Sequence, residues 1–218
     1  NFVVHATAFY MLYKNQLVLT GKLNDVGAYT RMNTPSSKRI GIETDITWKP
    51  FFSWLEYNGS LSISSNTIRN FTGYIDDYDL GGQISQQYRN TQISFSPSLI
   101  LGSQFALYPF KKCQQELFTN WHTSFIGKYV GKQYLDNTAS EDRKLDPFYQ
   151  LDVIAFLPFT IHKNYKCMFR AGVINITNHL FEANGYTFRS KSDNVVTSSN
   201  YYFPQAGRRY TIGLGITL

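Results

Sequence analysis

The chain has 218 residues, enough for one domain of ordinary size, with a formal net charge of +6 and 17% each of aromatic and charged residues. Its longest clean apolar run, residues 153–159, is far shorter than the roughly 18 residues of a transmembrane helix, so a helical membrane protein is excluded. Lysines and arginines are scattered rather than clustered, and no nucleic-acid partner is expected.

Eight segments are predicted as strands from their alternation of apolar and polar residues, which is blurred in the first. In the second and third the alternation is clean over about ten residues, the length that a tilted membrane strand needs. The second segment shows the pattern clearly, with Ile42 and Ile46 on one face and Glu43 and Asp45 on the other. In chain order the predicted strands are residues 3–13, 39–48, 54–64, 92–108, 116–129, 148–161, 167–177 and 209–218.

The connections between these strands alternate in length. Short turns lie at 49–53, 109–113 and 162–166, and long polar loops at about 15–37, 65–92, 129–147 and 178–208. A transmembrane β-barrel has this asymmetry, because its antiparallel strands join short periplasmic turns to long extracellular loops. The pattern predicts a location in the bacterial outer membrane, with the C-terminus in the periplasm.

Aromatic residues gather near the strand ends, with Trp48 and Trp54 at the short turns and Tyr149 and Tyr202 at the long loops. Aromatic girdles of this kind lie at the two membrane interfaces of a barrel. A soluble β-sandwich also alternates, but its strands are usually five or six residues long. We therefore predict an all-β fold, an antiparallel up-and-down transmembrane barrel in contact with outer-membrane lipid.

Four stretches resemble, in the expected order, the C-terminal part of the β-barrel of TonB-dependent outer-membrane receptors. They are YKNQLVLTGKLNDVG at 13–27, YVGKQYLDNT at 129–138, INITNHLFEANGY at 174–186 and YYFPQAGRRYTIGLGITL at 201–218. The resemblance covers essentially the whole chain and implies about eight strands of a plugged barrel of about 22. One departure is Leu218, since such barrels usually end in an aromatic residue.

The resemblance also implies partners. The plug domain is absent from this chain, and the plug and N-terminal barrel portion of the same receptor would precede Asn1, so the N-terminus is expected to be cut. The TonB complex would act through that missing part. FPQAGRRY at 203–210 is more similar to receptors for iron chelates than to glycan importers.

We therefore expect an active-transport receptor that imports a scarce nutrient, an iron-siderophore or other small-molecule iron chelate, by TonB-coupled plug rearrangement. Catalytic motifs are lacking, so no enzyme activity, cofactor or metal site is expected. The alternative is a small self-contained eight-stranded outer-membrane barrel with a structural or adhesive role, which requires the first and last strands to pair.

Ligand-binding residues are expected in the long loops, because specificity in such barrels lies on extracellular loops. Aromatic faces combined with a cation suit an anionic aromatic chelate, although some of these rings can equally belong to the interfacial girdle. The candidates are Tyr129, Tyr134, Tyr186, Phe188, Arg189, Tyr201 and Tyr202.

A second set is predicted to face the lumen, where charges hydrate the interior or pair with the plug or with each other. Its members are Arg39, Glu43, Asp45, Glu56, Glu116, His122, Asp152, Arg170 and Arg209. Cys113 and Cys167 are expected to lie roughly 10 Å apart, with one strand between theirs, which is too far for a disulfide.

Overall fold

The computed structural model describes residues 1–112, 118, 120–161 and 165–217. Fifteen strands lie within these residues, and no helix among them is long and apolar enough to cross a membrane. The strands are β1 (Phe2–Leu23), β2 (Tyr29–Trp48), β3 (Leu55–Arg69), β4 (Phe71–Asp77), β5 (Gly82–Tyr88), β6 (Thr91–Gln92), β7 (Leu99–Leu107), β8 (His122–Val130), β9 (Gln133–Tyr134), β10 (Lys144–Leu145), β11 (Phe148–Ile161), β12 (Tyr165–Ile174), β13 (Glu182–Ser192), β14 (Val195–Pro204) and β15 (Arg209–Thr217).

Eight of these strands form a long antiparallel wall in the order β1-β2-β3-β7-β8-β11-β12-β15, with β6 paired beside β3. The predicted all-β antiparallel fold of about eight main strands is confirmed. β1 and β2 run well beyond the predicted 3–13 and 39–48. Residues 16–23 continue the alternation and pair with 29–34, so much of the first long loop is an extension of the hairpin.

The wall does not close on itself among the described residues, because β1 pairs only with β2 and β15 only with β12. A self-contained eight-stranded barrel needs β1 and β15 to pair, so this structure excludes that alternative. The two edge strands instead carry unpaired backbone groups.

The strand register sorts side chains onto two faces. Directly opposed residues share a face, so Leu61, Leu101, Tyr129 and Tyr149 form one row across four strands. The adjacent row on the other face is largely polar and consists of Ser60, Gly102, Lys128 and Gln150. The apolar face is open at the β15 edge, where Ile212 is 78% exposed. Such a face suits contact with lipid hydrocarbon.

All four predicted loops contain strand residues, which corrects their description as polar loops: β1 and β2 extend into the first, and β9 and β10 pair within the third. The β4–β5 and β13–β14 hairpins form a second sheet in the order β14-β13-β4-β5. The β13–β14 turn has Asp193 and Asn194 at φ values of 52° and 62°. Two successive positive φ angles are typical of a type I′ hairpin turn. The sheet spans connections that are distant in sequence, since Lys191 pairs with Asp77.

A small apolar cluster joins this second sheet to the wall. Val18, Ile68, Phe71 and Ile93 are each at most 7% exposed, and Tyr88 packs against them. The residues come from β1, β3, β4 and the segment after β6, so the cluster fixes the root of the β4–β5 hairpin.

Replacing Phe71 by alanine should lower the free energy of local opening of the β4–β5 hairpin by about 3 kcal/mol, because it leaves a cavity in this cluster. Hydrogen–deuterium exchange of the β4 and β5 amides measures the change. Phe51→Ala is the matched control, since Phe51 is 98% exposed. Equal exchange in both variants would contradict the anchoring role of Phe71.

Candidate functional site

The four long connections meet around a cavity of about 280 Å³ at the end of the wall opposite the short turns. Apolar atoms form most of the surface of its lining. The main contributors are Leu19 and Tyr29 from the first connection, Tyr74 and Asp76 from the second, Leu135 and Asp136 from the third, and Tyr186, Phe188 and Arg189 from the fourth. The shape of the pocket thus depends on how the connections hold one another.

Asp76 joins the first connection to the second. Its carboxylate accepts one hydrogen bond from the Tyr29 hydroxyl at 2.8 Å and one from Gln83 Nε2 at 2.7 Å. Gln83 also donates to the Gly21 carbonyl at 2.8 Å. The pKa of Tyr29 is raised to about 12, mainly by burial and secondly by the hydrogen bond to Asp76. Tyr29 therefore stays protonated and remains a donor throughout the physiological pH range.

Asp77 and Asp79 join the second connection to the fourth. The Asp77 side chain is 1% exposed, and Lys191 Nζ lies 3.0 Å from its Oδ2. This hydrogen bond holds the pKa of Asp77 below its usual range. Asp79 accepts from the backbone N–H groups of Asp193 and Asn194 at 2.7 and 3.0 Å. The two hairpin turns are thus held together by charge-assisted hydrogen bonds.

Arg189, which lines the pocket, also connects the β13–β14 hairpin to the β4–β5 hairpin. Its side chain is only 7% exposed. Nη1 donates to the Tyr88 hydroxyl at 2.5 Å, Nη2 donates to the Tyr74 carbonyl at 3.3 Å, and Nε lies 4.0 Å from Asp136 Oδ2. Gly73 leaves the room that this side chain occupies, because a Cβ there would lie 2.7 Å from Nη2.

Asp136 holds the third connection in the same network. Arg143 Nε donates to Asp136 Oδ2 at 2.8 Å, and its Nη groups donate to Thr138 Oγ1 at 2.6 Å and Ser198 Oγ at 3.0 Å. Arg143 thereby links the third connection to β14 of the fourth. Two guanidinium groups share one carboxylate here, and both are largely buried.

Aromatic rings form a continuous group along one side of the pocket. Phe188 stacks on Tyr29 with ring centroids 5.2 Å apart, and Tyr186 stacks on Tyr201 at 4.9 Å. Tyr186 and Phe188 meet edge to face at 5.3 Å. Alternation along β13 puts Tyr186 and Phe188 on one face of the strand, which is why both reach this group.

Three of the seven predicted ligand-binding residues line the cavity, namely Tyr186, Phe188 and Arg189. Tyr201 does not line the cavity, but it stacks on Tyr186, which does. The structure does not bring the other three to the cavity wall: Tyr134 is buried and donates to Glu141 at 2.7 Å, Tyr129 lies in the apolar row of the wall, and Tyr202 pairs with Gly185 on the alternate face of β14.

Sequence reasoning missed the contributions of the first three connections. Tyr29, Tyr74 and Asp76 lie in predicted long loops, and the same rule that selected aromatic loop residues elsewhere would have selected both tyrosines. Asp76 and Asp136 carried no signal, because a carboxylate in a polar loop is ordinarily solvated.

The predicted lumen-facing residues that the structure describes lie on the polar face of the wall. Arg39 donates to Asn66 Oδ1 at 3.1 Å and Ser96 Oγ at 3.3 Å, and Glu56 pairs with Lys49 at 3.3 Å. The register sets Glu43 opposite Ser62, Asp45 opposite Ser60, Asp152 opposite Ile126 and Arg209 opposite Ile174. Glu116 and Cys113 lie outside the described residues. The lumen assignment itself stays a prediction.

His122 and Arg170 pack against neighbours on that face. The His122 ring stacks on Tyr108 at 4.9 Å and on Phe156 at 4.8 Å. Arg170 lies across Gly213, where a Cβ would be 2.6 Å from its Nε. The apolar Phe156, which interrupts the polar alternation of β11, is thus a stacking partner. Within the described ranges, no three His, Cys, Asp or Glu residues group to hold a metal ion.

Replacing Arg189 by lysine should lower the opening free energy of the β13–β14 hairpin by about 2 kcal/mol, because an ammonium cannot reproduce the guanidinium's contacts. Amide hydrogen exchange of β13 gives the measurement. Arg31→Lys is the control, since Arg31 is exposed. If both variants exchange as the unmodified protein does, Arg189 does not hold the hairpins.

No protein-family model matches the chain, and no curated protein sequence matches it. Solved structures match 98% of its residues: the ferric yersiniabactin uptake receptor of Yersinia pestis (TM-score 0.65, 15% identity), the siderophore receptor PiuA of Acinetobacter baumannii (0.66, 14%) and the copper transporter OprC (0.62, 13%). The chain covers 27%, 26% and 28% of these chains, about a quarter of their length. It therefore has the fold of part of the barrel of TonB-dependent outer-membrane receptors.

Proposed function

We propose that this chain is part of a bacterial outer-membrane receptor that imports a scarce nutrient, an iron-siderophore or another iron chelate. The observation that carries the proposal is the convergence of all four long connections on one pocket at one end of an open antiparallel wall. A cavity that is shared by four loops and stabilised by hydrogen bonds and ion pairs between them is typical of a ligand-binding site rather than of simple connections between strands.

The wall would stand in the membrane with its apolar face toward lipid and its polar face toward the lumen. β15 ends beside the start of β12, since Thr217 pairs with Lys166, so the C-terminal end of the wall lies with a short turn. Short turns in bacterial barrels are periplasmic, which supports a periplasmic C-terminus and an external pocket.

In this proposal the chain performs binding and gating rather than covalent chemistry. A ligand held by the outer connections would change the contacts that the lumen face makes with a plug. The TonB complex would supply the work of rearranging that plug through the N-terminal portion of the same receptor. The lumen-facing charges, such as Glu43 and Asp45, would be the plug's contacts on this chain.

The test compares uptake of radioactive iron chelates and of copper by cells that make the complete receptor. We expect saturable uptake of at least one iron chelate that stops when the proton gradient is dissipated, while binding persists. Phe188→Ala should weaken binding by about tenfold, as expected for a central aromatic contact. Tyr78→Ala is the control, since Tyr78 lies in the β4–β5 turn and is 71% exposed.

Uptake of copper or another nutrient with no affinity for any iron chelate would overturn the iron assignment. Uptake that continues without the proton gradient would overturn the TonB-coupled mechanism.

A further inference from the structure

We infer that the pocket between the four connections receives a single uncharged aromatic group, either one arm of a larger ligand or a small aromatic molecule. The inference deepens the proposed function and rests on it in treating this cavity as part of the ligand site. It also reverses the expectation that Arg189 attracts an anionic ligand.

The size of the cavity limits what can enter. Its volume of about 280 Å³ lies just below the range of roughly 300–1,000 Å³ typical of pockets for drug-sized ligands. It is about twice the roughly 150 Å³ of an apolar cavity that binds benzene. One or two rings therefore fit, whereas a whole metal chelate with several arms does not.

The walls favour a ring. Tyr29, Tyr74, Tyr186 and Phe188 present aromatic surface to the cavity, and Leu19 and Leu135 contribute aliphatic surface. Tyr186 and Phe188 already meet edge to face, so their ring faces and edges are fixed before a ligand arrives. An inserted ring can then stack or meet them edge-on, which adds about 1 kcal/mol per favourable pair to its burial.

The charges of the lining disfavour an anion. Three lining residues are charged, the carboxylates of Asp76 and Asp136 and the guanidinium of Arg189. Arg189 is 7% exposed, with its donors directed at Tyr88, the Tyr74 carbonyl and Asp136. A carboxylate or phenolate entering the cavity would therefore lose its hydration and meet Asp76, while the donors of Arg189, the cationic residue among the described lining, are already engaged.

The experiment measures binding of two ring compounds of similar size to the complete protein in detergent by fluorine NMR at neutral pH. Para-fluorophenol is uncharged there and para-fluorobenzoate is an anion, because a phenol ionises near pH 10 and a carboxylic acid near pH 4. We expect the phenol to bind at least about tenfold more tightly than the benzoate, reflecting the unpaired charge of the anion.

Two variants test the assignment to this cavity. Tyr186→Leu should weaken binding of the phenol by about fivefold, while Tyr78→Leu, the same change at an exposed turn position, should leave it within about twofold. Asp76→Asn should narrow the gap between phenol and benzoate by removing a repelling charge. Equal or tighter binding of the benzoate, no binding of the phenol, or no effect of Tyr186→Leu overturns the inference.

These outcomes are separable from those of the proposed function. Phenol binding at Tyr186 in a receptor that transports no iron chelate would keep the pocket assignment and remove the iron cargo. Transport of an iron chelate by a receptor that does not bind the phenol would remove the pocket assignment alone.

Discussion

In lipid, each backbone N–H and C=O group must find its hydrogen-bond partner within the protein. In the long wall, each strand from β1 to β15 is hydrogen-bonded antiparallel to its neighbours in the sheet. The two edge strands do not meet this requirement, because β1 and β15 each leave one side unpaired among the described residues. In a membrane, such edges would have to pair with further strands. The cavity, the polar face and the apolar face all take their positions from that pairing.

Beyond the wall, the long connections are held in place mainly by hydrogen bonds and ion pairs between charged groups. Asp76 and Asp77 each accept a hydrogen bond from another connection. Arg189 of the fourth connection lies 4.0 Å from Asp136 of the third, and its side chain spans from β13 to β4. The apolar cluster around Phe71 anchors only the root of one hairpin. Buried charged groups tolerate few alternative arrangements, because removing one partner leaves the other unpaired. The pocket walls are therefore set before any ligand binds.

The sequence predicts the wall well because alternation with a period of two has a direct physical cause, one face in an apolar medium and one in water. On β2, for example, the alternation puts Ile42 and Ile46 on one face and Glu43 on the other. No sequence pattern predicts the second sheet. The pairing of Lys191 with Asp77 arises because the wall brings two connections that are distant in sequence next to each other. The hydrogen bonds and ion pair of Arg189 could not be predicted from the sequence either. Whether a cation attracts ligands or is already neutralised depends on neighbours such as Asp136, which come from another loop.

The parallel pairing of β13 with β4 also bears on the order of folding. Its partners lie 114 residues apart, as the Lys191–Asp77 bond records. Closing so long a segment of free chain is entropically unfavourable, and contacts of high sequence separation form slowly. Once β3 and β12 stand in the wall, the roots of both hairpins are already held in place. We therefore expect the second sheet to form late in folding, so that the cavity beside it exists only once the wall has assembled.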